Sequence, residues 1–126
     1  MDLLEKVVKL EQEADQFGFR WETTDQIMEQ IRSECLEINE HLQHKPTPEN
    51  QLELQEEIGD LLHATFSLCV FCKLSPKETL EKTLVKFERR LNAVKQLAQE
   101  KGLTNLDGHS FEELMQIWRQ AKQNVG

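Results

Sequence analysis

The apolar residues of this chain fall into stripes with intervals of three and four residues, the spacing that places side chains on one face of an α-helix. Aspartate, threonine and serine stand where N-caps are expected, and glycine or proline follows the stripe ends. No segment alternates apolar and polar residues as a half-buried strand does. The stripes span Leu3 to Phe17, Ile27 to Leu42, about residues 49–74, Leu80 to Ala98 and Phe111 to Trp118, and the last is expected to bury Phe111, Leu114, Met115 and Trp118. The pattern predicts an all-α helical bundle of about five helices, folded as a single domain over residues 1–126.

The third stripe changes character along its length. Between Leu61 and Phe71 the predicted helix is apolar on almost every side, and such a helix has to be covered over most of its surface. A small bundle has few helices with which to cover it. We therefore expect part of this surface to meet another subunit, in a homodimer or a higher homo-oligomer.

Two pairs of acids interrupt the apolar stripes. Glu34 and Glu37 lie three residues apart in the second predicted helix, and Glu57 and Asp60 have the same spacing in the third. Each pair shares a helix face, so packing the two helices together would bring four carboxylates to one place. Carboxylates in such a cluster repel one another and are costly to bury without a cation. Oxygen ligands without paired histidine or cysteine favour Mg²⁺, with Mn²⁺ as a possible substitute.

Other interpretations of these residues stay open. The chain has 23 acids, so pairs at this spacing also arise by chance on solvated helix faces. Di-iron sites in bundles use Glu-x-x-His arms; Asp60-x-x-His63 resembles one arm, but a second arm is missing. Cys69-x-x-Cys72 lies in an apolar helix with no second cysteine pair, which favours buried thiols over a zinc or redox site.

The charge balance limits the expected partners. A formal net charge of -8 opposes nonspecific binding to nucleic acid or to an anionic membrane. The start of the chain shows no signal-peptide pattern and the three cysteines suit a reducing compartment, so a cytoplasmic location is expected. The one compact basic run, Lys86-Phe87-Glu88-Arg89-Arg90, has no acid three or four residues from its cations. These cations are therefore expected to bind either phosphate or acids on other helices.

Several segments occur in an order that resembles a known family. They are Gly18-Phe19-Arg20-Trp21, Glu34-x-x-Glu37, Glu56-Glu57-Ile58-Gly59-Asp60-Leu61-Leu62, the basic run and the late Trp118. This order resembles the C-terminal catalytic domain of the MazG-type all-α nucleoside triphosphate pyrophosphohydrolases, whose pattern is E-E-x-x-E followed by E-x-x-D. The likeness covers about residues 17–122, nearly the whole chain.

The resemblance implies a MazG-like fold and an enzymatic activity. The implied reaction is Mg²⁺-dependent hydrolysis of NTPs and dNTPs to nucleoside monophosphate and pyrophosphate, with nucleotide-pool housecleaning as its role. The implied catalytic residues and metal ligands are Glu34, Glu37, Glu57 and Asp60. The implied substrate-binding residues are Gln30, Glu53, Lys86, Arg89, Arg90 and Trp118. The helical spacing of Trp118 is equally compatible with a place in the core.

One residue departs from the family pattern. Ser33 stands where the family has the first glutamate of E-E-x-x-E, although the spacing of the remaining acids is intact. If that first acid only surrounds the metal ligands, Ser33 costs little; if it holds a further metal or the attacking water, turnover or metal preference should differ in this chain. The alternative function is a noncatalytic helical interaction or regulatory module that retains the fold. These motifs do not specify the base, the sugar or the number of metal ions.

Overall fold

The computed structural model describes residues 1–126 and contains five α-helices and no strand. Helices α1 to α5 span Leu3–Phe17, Thr24–Leu42, Pro48–Phe71, Pro76–Glu100 and Phe111–Val125. The all-α fold class predicted from the apolar stripes is therefore confirmed. No single helix is both long enough and apolar enough to cross a membrane.

Local sequence explains where the helices begin. The Asp2 carboxylate accepts a hydrogen bond from the Glu5 backbone N–H at 2.8 Å, and the Glu5 carboxylate accepts one from the Asp2 N–H at 3.2 Å. Thr23 and Gln26 form the same reciprocal capping box at the start of α2. Each cap satisfies backbone N–H groups that the first turn of a helix leaves unpaired. The side chains that cap α3, α4 and α5 are those of Thr47, Ser75 and Ser110.

The chain divides into two compact units. The first unit, Met1–Thr79, contains α1, α2, α3 and the beginning of α4, and the second unit, Leu80–Gly126, contains the rest of α4 and α5. In the first unit α3 packs along α2 and also against α1. The buried apolar residues of this unit are Ile27, Ala64, Cys69 and Pro76. In the second unit the buried residues are Ala93, Ala98, Ile117 and Ala121.

A polar contact attaches α1 to α3 in the first unit. The Ser67 hydroxyl donates to Glu11 Oε1 at 2.6 Å, and His63 Nε2 lies 2.8 Å from the same oxygen. Ser67 is only 3% exposed. The Glu11 carboxylate therefore satisfies a hydroxyl that would otherwise be buried without a partner.

The apolar surface of α3 is covered only in part within this chain. Ala64 and Cys69 are buried, whereas Ile58 is 43% and Leu62 54% exposed. Leu52, earlier in α3, is 64% exposed. Leu62 and Phe71, the latter 37% exposed, lie within the apolar run from residue 61 to 71, and Leu52 and Ile58 extend the open apolar surface toward the start of α3.

The apolar face of α5 is covered from its second turn onward. Ile117 and Ala121 are buried, and Leu114 and Trp118 are half-buried. Phe111 lies on the same face but is 73% exposed, so the expectation that the whole stripe faces a core was wrong for this residue. Phe111 is the first residue of α5, one turn ahead of the part of the face that is covered.

Candidate metal centre

Packing of α2 against α3 brings three glutamates together. Glu34 and Glu37 come from successive turns of α2 and Glu57 comes from α3, and one carboxylate oxygen of each lies within 4.8 Å of the others. Glu34 is only 6% exposed. Two of the oxygens, Glu34 Oε2 and Glu57 Oε2, are buried and have no hydrogen-bond partner. Buried anionic oxygens without donors are costly, so this arrangement favours the uptake of a cation or a proton.

The neighbouring carboxylates perturb Glu57 electrostatically. The Glu37 carboxyl beside Glu57, followed by desolvation and by the nearby Glu34, raises the pKa of Glu57 from 4.5 to about 7. A neighbouring carboxylate and partial burial both disfavour the ionised form of a carboxyl group. Near neutral pH the Glu57 carboxyl therefore retains a proton in part of the molecules, and a divalent cation would displace it on binding.

A glutamine gives the two oxygens of Glu34 different surroundings. Gln30 lies one turn before Glu34 on α2, and its Nε2 donates a hydrogen bond to Glu34 Oε1 at 2.7 Å. The other oxygen, Oε2, receives no donor. One oxygen of the Glu34 carboxylate is thus fixed by a hydrogen bond, and the other has no donor and could bind a cation.

His41 was not predicted to belong to the site, yet its ring lies beside two of the candidate residues. Its Nε2 is 3.8 Å from Glu57 Oε1, and its Nδ1 is 3.7 Å from Glu53 Oε2. Both distances are too long for hydrogen bonds and fit an ion pair only when the imidazole is protonated. The sequence signal for His41 is its position four residues after Glu37, on the same face of α2.

The fourth predicted ligand stands apart from the three glutamates. Asp60 is exposed on α3, one turn beyond Glu57, and its carboxylate is outside the group of converging oxygens. Ser33, which replaces the family's first glutamate, is also exposed.

The alternative metal arrangements receive no further ligands. The imidazole of His63, the candidate di-iron arm, contacts Glu11 on α1 instead. All three cysteines are free, and of the Cys69-x-x-Cys72 pair only Cys69 is buried. Neither arrangement therefore forms a set of converging metal ligands.

The basic run belongs to the second unit, where it lies on α4. Arg89 Nε donates to the Val125 carbonyl oxygen at 3.0 Å, and Arg90 Nε donates to the Gly126 oxygen at 3.0 Å. Both arginines thus bind backbone oxygens at the end of α5, where a helix has unpaired acceptors and negative dipole charge. Lys86 is exposed and forms no ion pair.

Trp118 packs within the second unit. Its ring centroid lies 6.0 Å from that of Phe87, with the planes inclined at 48°, and the Arg90 guanidinium carbon is 5.8 Å from the Trp118 ring. The latter distance is within cation–π range. These contacts hold the half-buried indole against α4, and a contact with a nucleobase stays a prediction.

Five helices and a group of carboxylates shared by two of them define an all-α domain with a candidate cation site. The family model of the MazG nucleotide pyrophosphohydrolase domain matches residues 22–95, a span that includes Glu34, Glu37 and Glu57. The chain belongs to this family.

Curated relatives extend the likeness beyond that span. The nucleoside triphosphate pyrophosphohydrolase/pyrophosphatase MazG of Thermotoga maritima is 31% identical over 114 residues, which cover 90% of this chain and 42% of the relative. The nucleoside triphosphate pyrophosphohydrolase of Escherichia coli K12 is 28% identical over 120 residues, which cover 95% of this chain and 44% of the relative. The uncharacterized protein YabN of Bacillus subtilis is 36% identical over 70 residues, or 56% of this chain and 14% of its own length. This chain therefore spans less than half the length of these relatives.

Proposed function

We propose that this protein hydrolyses nucleoside triphosphates to nucleoside monophosphate and pyrophosphate in a reaction that depends on Mg²⁺. The observation that carries the proposal is the group formed by Glu34, Glu37 and Glu57, with two buried oxygens that have no donor, in a chain of the MazG family. The names of the Thermotoga and Escherichia relatives support the same reaction. Clearance of surplus or noncanonical nucleotides is the role that the family likeness suggests.

The donor set fits magnesium. All three converging groups are carboxylates, and Mg²⁺ prefers hard oxygen ligands, with Mn²⁺ as a close substitute. Glu34, Glu37 and Glu57 would hold the ion, and we assign Asp60 as a further ligand from its place in the family pattern. A magnesium ion bound there supplies Lewis acidity toward phosphate oxygens and lowers the pKa of a bound water.

The chain's own residues have distinct tasks in this proposal. A water molecule attacks the phosphorus of the α-phosphate, the bond to the bridging oxygen breaks, and pyrophosphate leaves. One carboxylate of the three converging glutamates accepts the proton of the attacking water. Lys86 is a candidate phosphate ligand because it is exposed and free of ion pairs, and a lysine ammonium binds phosphate as a point charge.

A panel of NTPs and dNTPs incubated with the protein and Mg²⁺ tests the reaction. We expect pyrophosphate and the monophosphate as products, with no turnover when EDTA removes the metal. Release of orthophosphate and a diphosphate would place cleavage at the wrong bond. No product from any nucleotide would instead favour a noncatalytic interaction module. The serine at position 33 is the only feature of the sequence that suggests such a module.

The proposal includes a homodimer or a higher homo-oligomer. Leu52, Ile58 and Leu62 leave apolar surface open on α3. Ile58 and Leu62 are one turn apart and therefore lie on one face of the helix. A second copy that presents the same face would bury these side chains in a two-fold interface.

A further inference from the structure

We propose that Gln30 is a positioning residue, which orients the Glu34 carboxylate for the metal rather than contacting the nucleotide. The inference rests on the proposed function for the identity of the cation. It gives Gln30 a different role from the substrate contact that the family resemblance implies.

The geometry of the pair supports this role. Gln30 and Glu34 are four residues apart on α2, and the 2.7 Å hydrogen bond joins Gln30 Nε2 to Glu34 Oε1. Glu34 itself is 6% exposed, so solvent supplies few competing donors. The amide fixes Oε1, and the oxygen that remains, Oε2, is the buried one without a partner. A ligand held in this way does not have to be reoriented when the cation arrives.

The chemistry of the amide also suits this task. The Gln30 amide is uncharged, so it donates a hydrogen bond to Glu34 Oε1 without offsetting the negative charge that the carboxylates offer to a cation. A lysine or arginine would offset that charge.

Metal binding measured in the absence of nucleotide tests this positioning role separately from any contact between Gln30 and the substrate. Mn²⁺ is titrated into the metal-free protein, and electron paramagnetic resonance reports the unbound ion. Gln30→Met keeps the length of the side chain and removes the donor, and Gln30→Ala is a second variant that helices tolerate well. Gln12→Met is the control, since Gln12 is exposed on α1 and forms no hydrogen bond with a side chain.

We expect both Gln30 variants to bind Mn²⁺ about 10- to 100-fold more weakly, the loss typical of removing a group that orients a metal ligand. Gln12→Met should bind as the wild type does. At saturating Mg²⁺ the KM for nucleotide should change by no more than about twofold, because no substrate contact is lost. Circular dichroism confirms that the variants remain helical.

Unchanged Mn²⁺ affinity in the helical Gln30 variants would overturn the inference, and an accompanying rise in KM would assign Gln30 to the nucleotide. A wild-type protein that binds Mn²⁺ but releases no pyrophosphate would refute the proposed function alone, because the titration still compares the variants. A wild-type protein that binds no Mn²⁺ would contradict both.

Discussion

At the scale of single residues, Glu57 connects the geometry of the site to a measurable pH dependence. Its pKa is raised from 4.5 to about 7, chiefly by the adjacent Glu37. Between these two pH values the folded protein binds more protons than the unfolded chain does, so stability is lost as the pH rises through this window. We expect the melting temperature of the metal-free protein in EDTA to fall between pH 5 and pH 8.

Glu57→Gln should remove most of this pH dependence, because a neutral amide has no proton to lose. Glu13→Gln, at an exposed position of α1, is the matched control. Its melting temperature should change with pH as that of the wild type does. Added Mg²⁺ should raise the melting temperature of the wild type at pH 8, since a ligand that binds only the folded state stabilises it. If the melting temperatures of wild type and Glu57→Gln fell equally steeply with pH, the Glu57 carboxyl would not be the cause of the pH dependence.

The residues of the site were predictable to different degrees. Glu34, Glu37 and Glu57 stand out from the sequence because their spacing places acids beside apolar stripes on two helices. The roles of individual oxygens and the approach of His41 to Glu57 did not follow from the spacing. They depend on how α2 is rotated about its axis against α3, and a periodic pattern fixes that rotation only to within a broad face.

At the scale of elements, one carboxylate holds α1 on α3. Glu11 accepts the hydrogen bond of the nearly buried Ser67, so Glu11→Ala leaves that hydroxyl without a partner. A buried unsatisfied group costs about 1–3 kcal/mol, and we expect a loss of that size in urea unfolding. Glu13→Ala should stay within about 0.5 kcal/mol, as exposed substitutions usually do. Equal unfolding midpoints for the two variants would contradict the role of Glu11.

The helix boundaries could be predicted from the sequence, whereas the contacts between distant helices could not. The caps at Asp2, Thr23 and Ser110 are formed between residues three apart, so the helix boundaries are encoded locally. The contact between Glu11 and Ser67 joins residues 56 positions apart, and no local rule pairs them. The exposure of Phe111 is likewise a tertiary property, because it depends on where the covering surface ends.

At the scale of the whole molecule, the open apolar face of α3 predicts self-association. Light scattering at about 10 μM should report a dimer or a larger assembly, since a contiguous exposed apolar surface marks an interaction site. Leu62→Asp should shift the protein toward monomer by placing a charge on that face. Gln12→Asp, on α1, is the control and should leave the assembly unchanged. A wild-type protein that stays monomeric at this concentration would contradict the proposed interface.

The most direct test of the account is the rate of pyrophosphate release by wild type and by Glu34→Gln at saturating nucleotide and Mg²⁺. Glu34 is the most buried of the three converging glutamates, and its substitution removes a charged ligand while keeping the shape of the side chain. The account predicts release by the wild type and a loss of about 100-fold or more in the variant, with the helical circular dichroism signal intact. Release by Glu34→Gln at close to the wild-type rate would contradict it.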